Sequence, residues 1–151
     1  FIREEISAGR IEYANKLLGY PYFVQGTVLH GNEIGRTLGV PTANLIAEEE
    51  KLLPPFGVYV TRTSFLDDQT KVYGGITNVG RKPTITGDHP AGVETHLFDF
   101  SGMIYQKNIK VEFLAPVRPE MRFASLEELK LQMHKDIKFG IKYYTNITNI
   151  C

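Results

Sequence analysis

The chain has 151 residues, enough for one ordinary domain, and its 42% hydrophobic and 23% charged content can build a core, which excludes a disordered polymer. Seventeen Lys and Arg balance seventeen Asp and Glu, so no global field steers it toward nucleic acid or an anionic membrane. Cys151, the only cysteine, allows no intrachain disulfide, and no apolar run approaches the ~20 residues of a membrane span. A cytoplasmic location is the expectation. Because the chain opens on Phe1 without a signal-peptide layout, it reads as cut from something longer.

Ile2, Ile6, Ile11, Ala14, Leu17 and Leu18 recur at roughly helical spacing, which predicts two helical pieces divided at Gly9 and stopped at Gly19. Beyond Pro21 the texture changes to short runs rich in Val, Ile, Thr, Tyr and Phe. These predict strands over Tyr22–His30, Gly57–Phe65, Lys71–Asn78, Gly92–Phe100 and Ile109–Leu114, with a shorter one around Leu45. Asp67, Asp68 and Gln69 read as a hairpin connection. No helical pattern separates the strands, so the expected class is mainly β, an antiparallel barrel or sandwich of five or six strands. One helix follows, opened by a capping box at Ser125–Glu128, striped by Leu126, Leu129, Met133 and Ile137, and expected to close at Gly140.

The segment from Gly31 to Asn44 is the most unusual. Gly31, Gly35 and Gly39 would let backbone approach a ligand closely, and Arg36 among them could help cradle phosphate oxygens. Neither a Walker loop nor a dinucleotide fingerprint is present, and spaced glycines also serve loops that only turn. After Pro41, Thr42 and Asn44 project to one side if the chain is extended; a hydroxyl and an amide carbonyl suit nucleotide-bound magnesium, and equally suit a turn or helix cap. Over Val93–Phe100, alternation places Glu94, His96, Phe98 and Phe100 on one face. A strand acid beside aromatic rings is a candidate general base, although most strand carboxylates simply face solvent. The four histidines share no zinc-ligand spacing, and no serine or cysteine nucleophile motif exists.

Five motifs in one order carry a family resemblance: G-x-x-x-G-R-x-L-G-x-P-T-A-N at 31–44, L-P-P-x-G-V-Y at 53–59, N-V-G-x-x-P-T at 78–84, V-E-T-H-L-x-D-F at 93–100 and R-P-E-x-x-F-x-S-L-E-x-L at 118–129. Together they resemble riboflavin kinase across roughly Pro21 to Tyr144. Residues 1–20 resemble the end of the adenylyltransferase module that precedes the kinase in bifunctional bacterial FAD synthetase, which places the kinase domain at 21–151. The resemblance implies a six-stranded Greek-key barrel with a carboxyl-terminal helix, transferring the γ-phosphoryl group of ATP to the 5′-hydroxyl of riboflavin, with magnesium, to give FMN. It implies Glu94 as catalytic base, Thr42 and Asn44 as magnesium ligands, and Gly31, Gly35, Arg36 and Gly39 in a flap over the nucleotide phosphates. Tyr105 would lie near adenine, and Arg118 and Phe123 would border the flavin beside Glu94, in a slot between barrel and helix. The adenylyltransferase H-x-G-H motif is absent, so FMN adenylylation is not expected. A non-catalytic flavin-binding barrel is the alternative, and a single-stranded nucleic-acid binder a weaker one, disfavoured by the neutral charge.

Overall fold

The computed structural model describes residues 1–29, 42–47, 51–81, 91–100 and 106–149. The expected flap residues Gly31, Gly35, Arg36 and Gly39, and Tyr105, lie outside the described residues. Two short helices, α1 (Ile2–Ser7) and α2 (Ile11–Leu18), precede six strands: β1 (Phe23–Leu29), β2 (Ala43–Ala47), β3 (Gly57–Phe65), β4 (Asp68–Arg81), β5 (Ala91–Leu97) and β6 (Asn108–Pro119). A long helix, α3 (Leu126–Asn149), follows. The strands close into a barrel in the order β1-β2-β5-β4-β3-β6 with every pairing antiparallel. Strands β3, β4 and β5 run consecutively and β6 returns beside β3, a Greek key, and closure removes the unpaired edges.

Alternation divides each strand between the barrel interior and an outer face. Val24, Leu45, Val79, Val93, Val111 and Phe113 fill the interior. A polar seam runs through it: Thr61 and Thr77 share a 2.7 Å hydrogen bond and Thr77 donates to Thr95 at 2.7 Å, so these buried hydroxyls are satisfied inside the sheet. The same core takes Ile6, Ile11 and Ala14 from α1 and α2. Asn15 fixes α2 to the barrel, its side-chain amide donating to the Phe113 carbonyl (2.8 Å) and accepting from the Tyr22 amide (2.7 Å). Gly19 ends α2 in the left-handed region at φ 81°, as the sequence predicts.

Strand β3 is buried on both faces because α3 covers its outer side, where Val58, Val60 and Ile76 form a second cluster with Ile137 and Tyr143. Two glycines permit this approach. A Cβ at Gly74 on β4 would lie 2.6 Å from the Tyr144 ring, and one at Gly140 would lie 2.5 Å from Ile76 Cδ1 and 2.9 Å from Phe98 Cζ.

The expected stop at Gly140 is therefore a contact site, and α3 runs nine residues past it to Asn149. The Ser125 cap does form at the other end, where the Ser125 hydroxyl accepts from the Glu128 amide (3.2 Å), while the Glu128 carboxylate accepts from the Ala124 amide (3.0 Å), one residue before the partner a capping box would use. Leu126 departs from the expected stripe and is exposed. Strand β4 starts earlier than expected because the Asp68 carboxylate caps the tight turn by accepting from the Thr70 amide (3.2 Å) and hydroxyl. Strand β5 ends at Leu97, and Asp99 turns the chain at φ 54°. This moves Phe100 off the Glu94 face and into edge contact with Tyr73, ring centroids 5.0 Å apart.

Candidate active site

The strand pairings align one transverse row on the outer face. Asn44 on β2 is opposite Glu94 on β5, Glu94 opposite Asn78 on β4, Asn78 opposite Val58 on β3, and Val58 opposite Arg118 on β6. Directly opposed residues share a face, so two carboxamides flank one carboxylate, with a guanidinium farther along. Arg118 reaches the row because β6 carries register shifts against β3 between Val58 and Tyr59 and between Val60 and Thr61. From Glu94 to Arg118 the row crosses three strand spacings, roughly 14 Å.

Between this row and α3 lies a cleft of about 310 Å³. Thr42, Glu94, Asn78 and His96 line one part and Arg118, Phe123 and Met133 another, with Val58 and Ile76 on the floor side. Pockets that bind organic ligands have this composition, mostly apolar with few converging polar groups. The Thr42 hydroxyl donates to Glu94 Oε1 at 2.5 Å, which ties the start of β2 to β5 and points two oxygen-bearing side chains at one spot. Asn44 stands two residues on, opposite Glu94 in the strand register, so it shares the outer face with Thr42 and Glu94 at that end of the cleft. His96 sits edge-on to Phe98, centroids 6.1 Å apart.

The far end is organised by charge. Arg118 donates from Nε and Nη2 to the Asp136 carboxylate (3.0 and 2.9 Å to Oδ2), and Gln132 Nε2 donates to Asp136 Oδ1 at 3.0 Å. The guanidinium carbon lies 5.7 Å from the centre of the Phe123 ring, within cation–π range. The pair bridges β6 and α3 across the cleft end, with Asp136 buried and Arg118 largely so.

Thr42, Glu94, Arg118 and Phe123, expected from sequence, thus meet in one cleft, with Asn44 beside them. Asn78 and Asp136 were not expected. Asp136 had a legible signal, since it falls on the helical stripe of Leu129 and Met133 where an acid is out of place. Asn78 had none beyond its place in the N-V-G motif, because strand pairing alone brings it beside Glu94. Among the described residues no group of three or more His, Cys, Asp or Glu could hold a metal by itself.

Comparison with known proteins gives a consistent picture. The family model described as Flavokinase, riboflavin kinase, matches residues 18–144. The bifunctional riboflavin kinase/FMN adenylyltransferase of Bacillus subtilis is 39% identical over 97% of this chain and 46% of its own length. The protein of the same description from Haemophilus influenzae is 38% identical over 96% of this chain and 46% of its own length. The chain spans about half the length of the curated relatives it matches. A solved structure described as a macrolide-efflux protein from Streptococcus pneumoniae superposes with TM-score 0.80 at 37% identity, over 89% of this chain and 43% of that one. Riboflavin kinase from Trypanosoma brucei shares the fold at TM-score 0.58 and 23% identity, over 83% and 80% of the two chains. No described helix is long and apolar enough to cross a membrane.

Proposed function

Since this chain belongs to the riboflavin kinase family, we propose that it transfers the γ-phosphoryl group of ATP to the 5′-hydroxyl of riboflavin, giving FMN and ADP. The observation that carries this reading is the cleft with a carboxylate, Glu94, at one end and a guanidinium over an aromatic ring at the other. A flat tricyclic flavin with its sugar-alcohol tail extended fits a span of roughly 14 Å. The ring would lie against α3 near Phe123 and Arg118, and the tail would run along the row to Glu94.

Phosphoryl transfer needs alignment and charge neutralisation more than a strong base. Glu94 accepts the proton as the 5′-oxygen attacks phosphorus, a contribution of order 10² to 10⁴ in rate. Thr42 orients that carboxylate by donating to one of its oxygens. Asn78, opposite Glu94, is placed to bond the ribityl hydroxyls. The hard oxygens of Thr42 and Asn44 fit magnesium, which commonly takes its remaining ligands from substrate phosphates and water. Magnesium bound there would supply neutralisation of the phosphate charge. Gly31, Gly35, Arg36, Gly39 and Tyr105 complete the nucleotide side of this proposal.

The test is direct: incubation with ATP, magnesium and riboflavin, followed by separation of flavins. FMN formation that needs all three components is the expected result, with no FAD. Flavin binding without FMN would instead establish a non-catalytic flavin-binding barrel.

A further inference from the structure

Asp136 is 3% exposed, in the middle of α3, on the side that Leu129, Met133 and Ile137 present to the cleft. A helix whose only task there was packing would carry an apolar residue, since a buried ion pair often adds no stability over one. The geometry of its partner suggests a different task. A guanidinium has five N–H donors in one plane. On Arg118, Nε faces both Asp136 oxygens (3.1 and 3.0 Å), Nη2 bonds Oδ2 (2.9 Å), and Nη1 bonds the Pro119 carbonyl (3.2 Å). That leaves one N–H on each terminal nitrogen of a side chain that lines the cleft.

We infer that Asp136, braced by Gln132, is a positioning residue that locks Arg118 so that its remaining Nη1 and Nη2 donors meet carbonyl or ring-nitrogen acceptors of a planar heterocycle lying in the cleft. The inference rests on the flavin reading of that cleft and deepens it, because it assigns the orientation of the guanidinium that meets the heterocycle's polar edge to the Asp136 carboxylate, itself part of the cleft wall. Gln132 occupies Oδ1, the carboxylate oxygen less engaged by Arg118, and so prevents Asp136 from rotating away. Without Asp136 the guanidinium keeps its charge but loses the lateral fork that sets its plane. Affinity for the flavin then falls, while chemistry at Glu94, roughly 14 Å along the row, is spared.

The experiment measures binding of riboflavin, and of an analogue with sulfur in place of a ring carbonyl oxygen, by quenching of flavin fluorescence or by calorimetry, together with kcat and KM. The parent protein should prefer riboflavin over the thio analogue. Asp136→Asn should weaken riboflavin binding about tenfold or more, the scale of a charge-assisted hydrogen bond. It should also erase most of the preference, with kcat at saturating flavin nearly unchanged. Asp136→Glu should restore part of the preference. Glu112→Gln, which breaks a comparable bidentate pair with Arg62 away from the cleft, should leave flavin affinity intact. If Asp136→Asn does not fold, Gln132→Leu carries the test, with a smaller loss in the same two readouts. An Asp136→Asn protein that discriminates the two flavins as the parent does, or that loses kcat with affinity unchanged, overturns the inference. A parent protein that binds neither flavin refutes the reading of the cleft itself.

Discussion

Gly140→Ala sets helix propensity against packing, and the distances decide which wins. In the middle of a 24-residue helix, alanine in place of glycine should stabilise by about 1 kcal/mol on propensity alone. The added Cβ, however, would lie 2.5 Å from Ile76 Cδ1 and 2.9 Å from both Ile76 Cγ1 and Phe98 Cζ, where ordinary contact begins at 3.4 Å. The terminal methyl of Ile76 can swing away cheaply. Its Cγ1 is held by β4 and the Phe98 ring by the end of β5, so relief requires α3 to retreat from the sheet. Overpacking of this kind costs about 1–3 kcal/mol, which leaves a net destabilisation of about 0–2 kcal/mol. Urea unfolding reads it: with a slope of ~2 kcal/mol per molar, the midpoint should fall by up to ~1 M at unchanged slope. Ile76→Val removes the closest methyl, so in that background the cost of Gly140→Ala should shrink, a coupling measurable by a double-mutant cycle. A midpoint that rises by the full propensity gain, with no coupling to position 76, would refute the close helix–sheet approach.

Glu94→Ala should lower turnover by about 10² to 10⁴ while leaving ATP affinity nearly intact, and steady-state kinetics with a loss confined to affinity would contradict the base role. Asn44→Ala should move the magnesium dependence of activity to higher concentration, so titration curves that overlay the parent's would remove it from the ligand set. We propose that residues 1–20 fold with the barrel: Asn15→Leu, which orphans the Phe113 carbonyl and the Tyr22 amide, should cost about 1–3 kcal/mol in denaturant unfolding. A cost near zero would make the segment a mere tail. Burial pushes the Tyr59 phenol up to about 12, and its hydroxyl donates to the Pro55 carbonyl. The folded state therefore holds this proton more tightly than the unfolded chain. Its contribution is complete below the ordinary tyrosine value of about 10 and is lost as the pH rises through 12. Tyr59→Phe should show a shallower alkaline decline in thermal unfolding temperature, and identical profiles would reject the assignment.

Sequence by itself determined much of this protein, because the signals involved are local. Alternating apolar strands, the glycine at 19, the Ser125 cap and the lack of helical pattern between strands required an antiparallel barrel or sandwich followed by a helix, and the family resemblance favoured the barrel that the strand pairings then close. The ordered motifs pointed to Thr42, Glu94, Arg118 and Phe123. Tertiary structure alone decided what depends on which strands become neighbours. Asn78 joins Glu94 only through the β4–β5 register, and Arg118 enters the same row only because β6 slips against β3. Gly140 has the composition of a helix end, yet it lies where α3 touches Ile76 and Phe98, so contact rather than conformational preference explains it. Asp136 likewise looks misplaced along the chain and becomes intelligible only across the cleft, where barrel closure supplies the guanidinium that makes its burial tolerable.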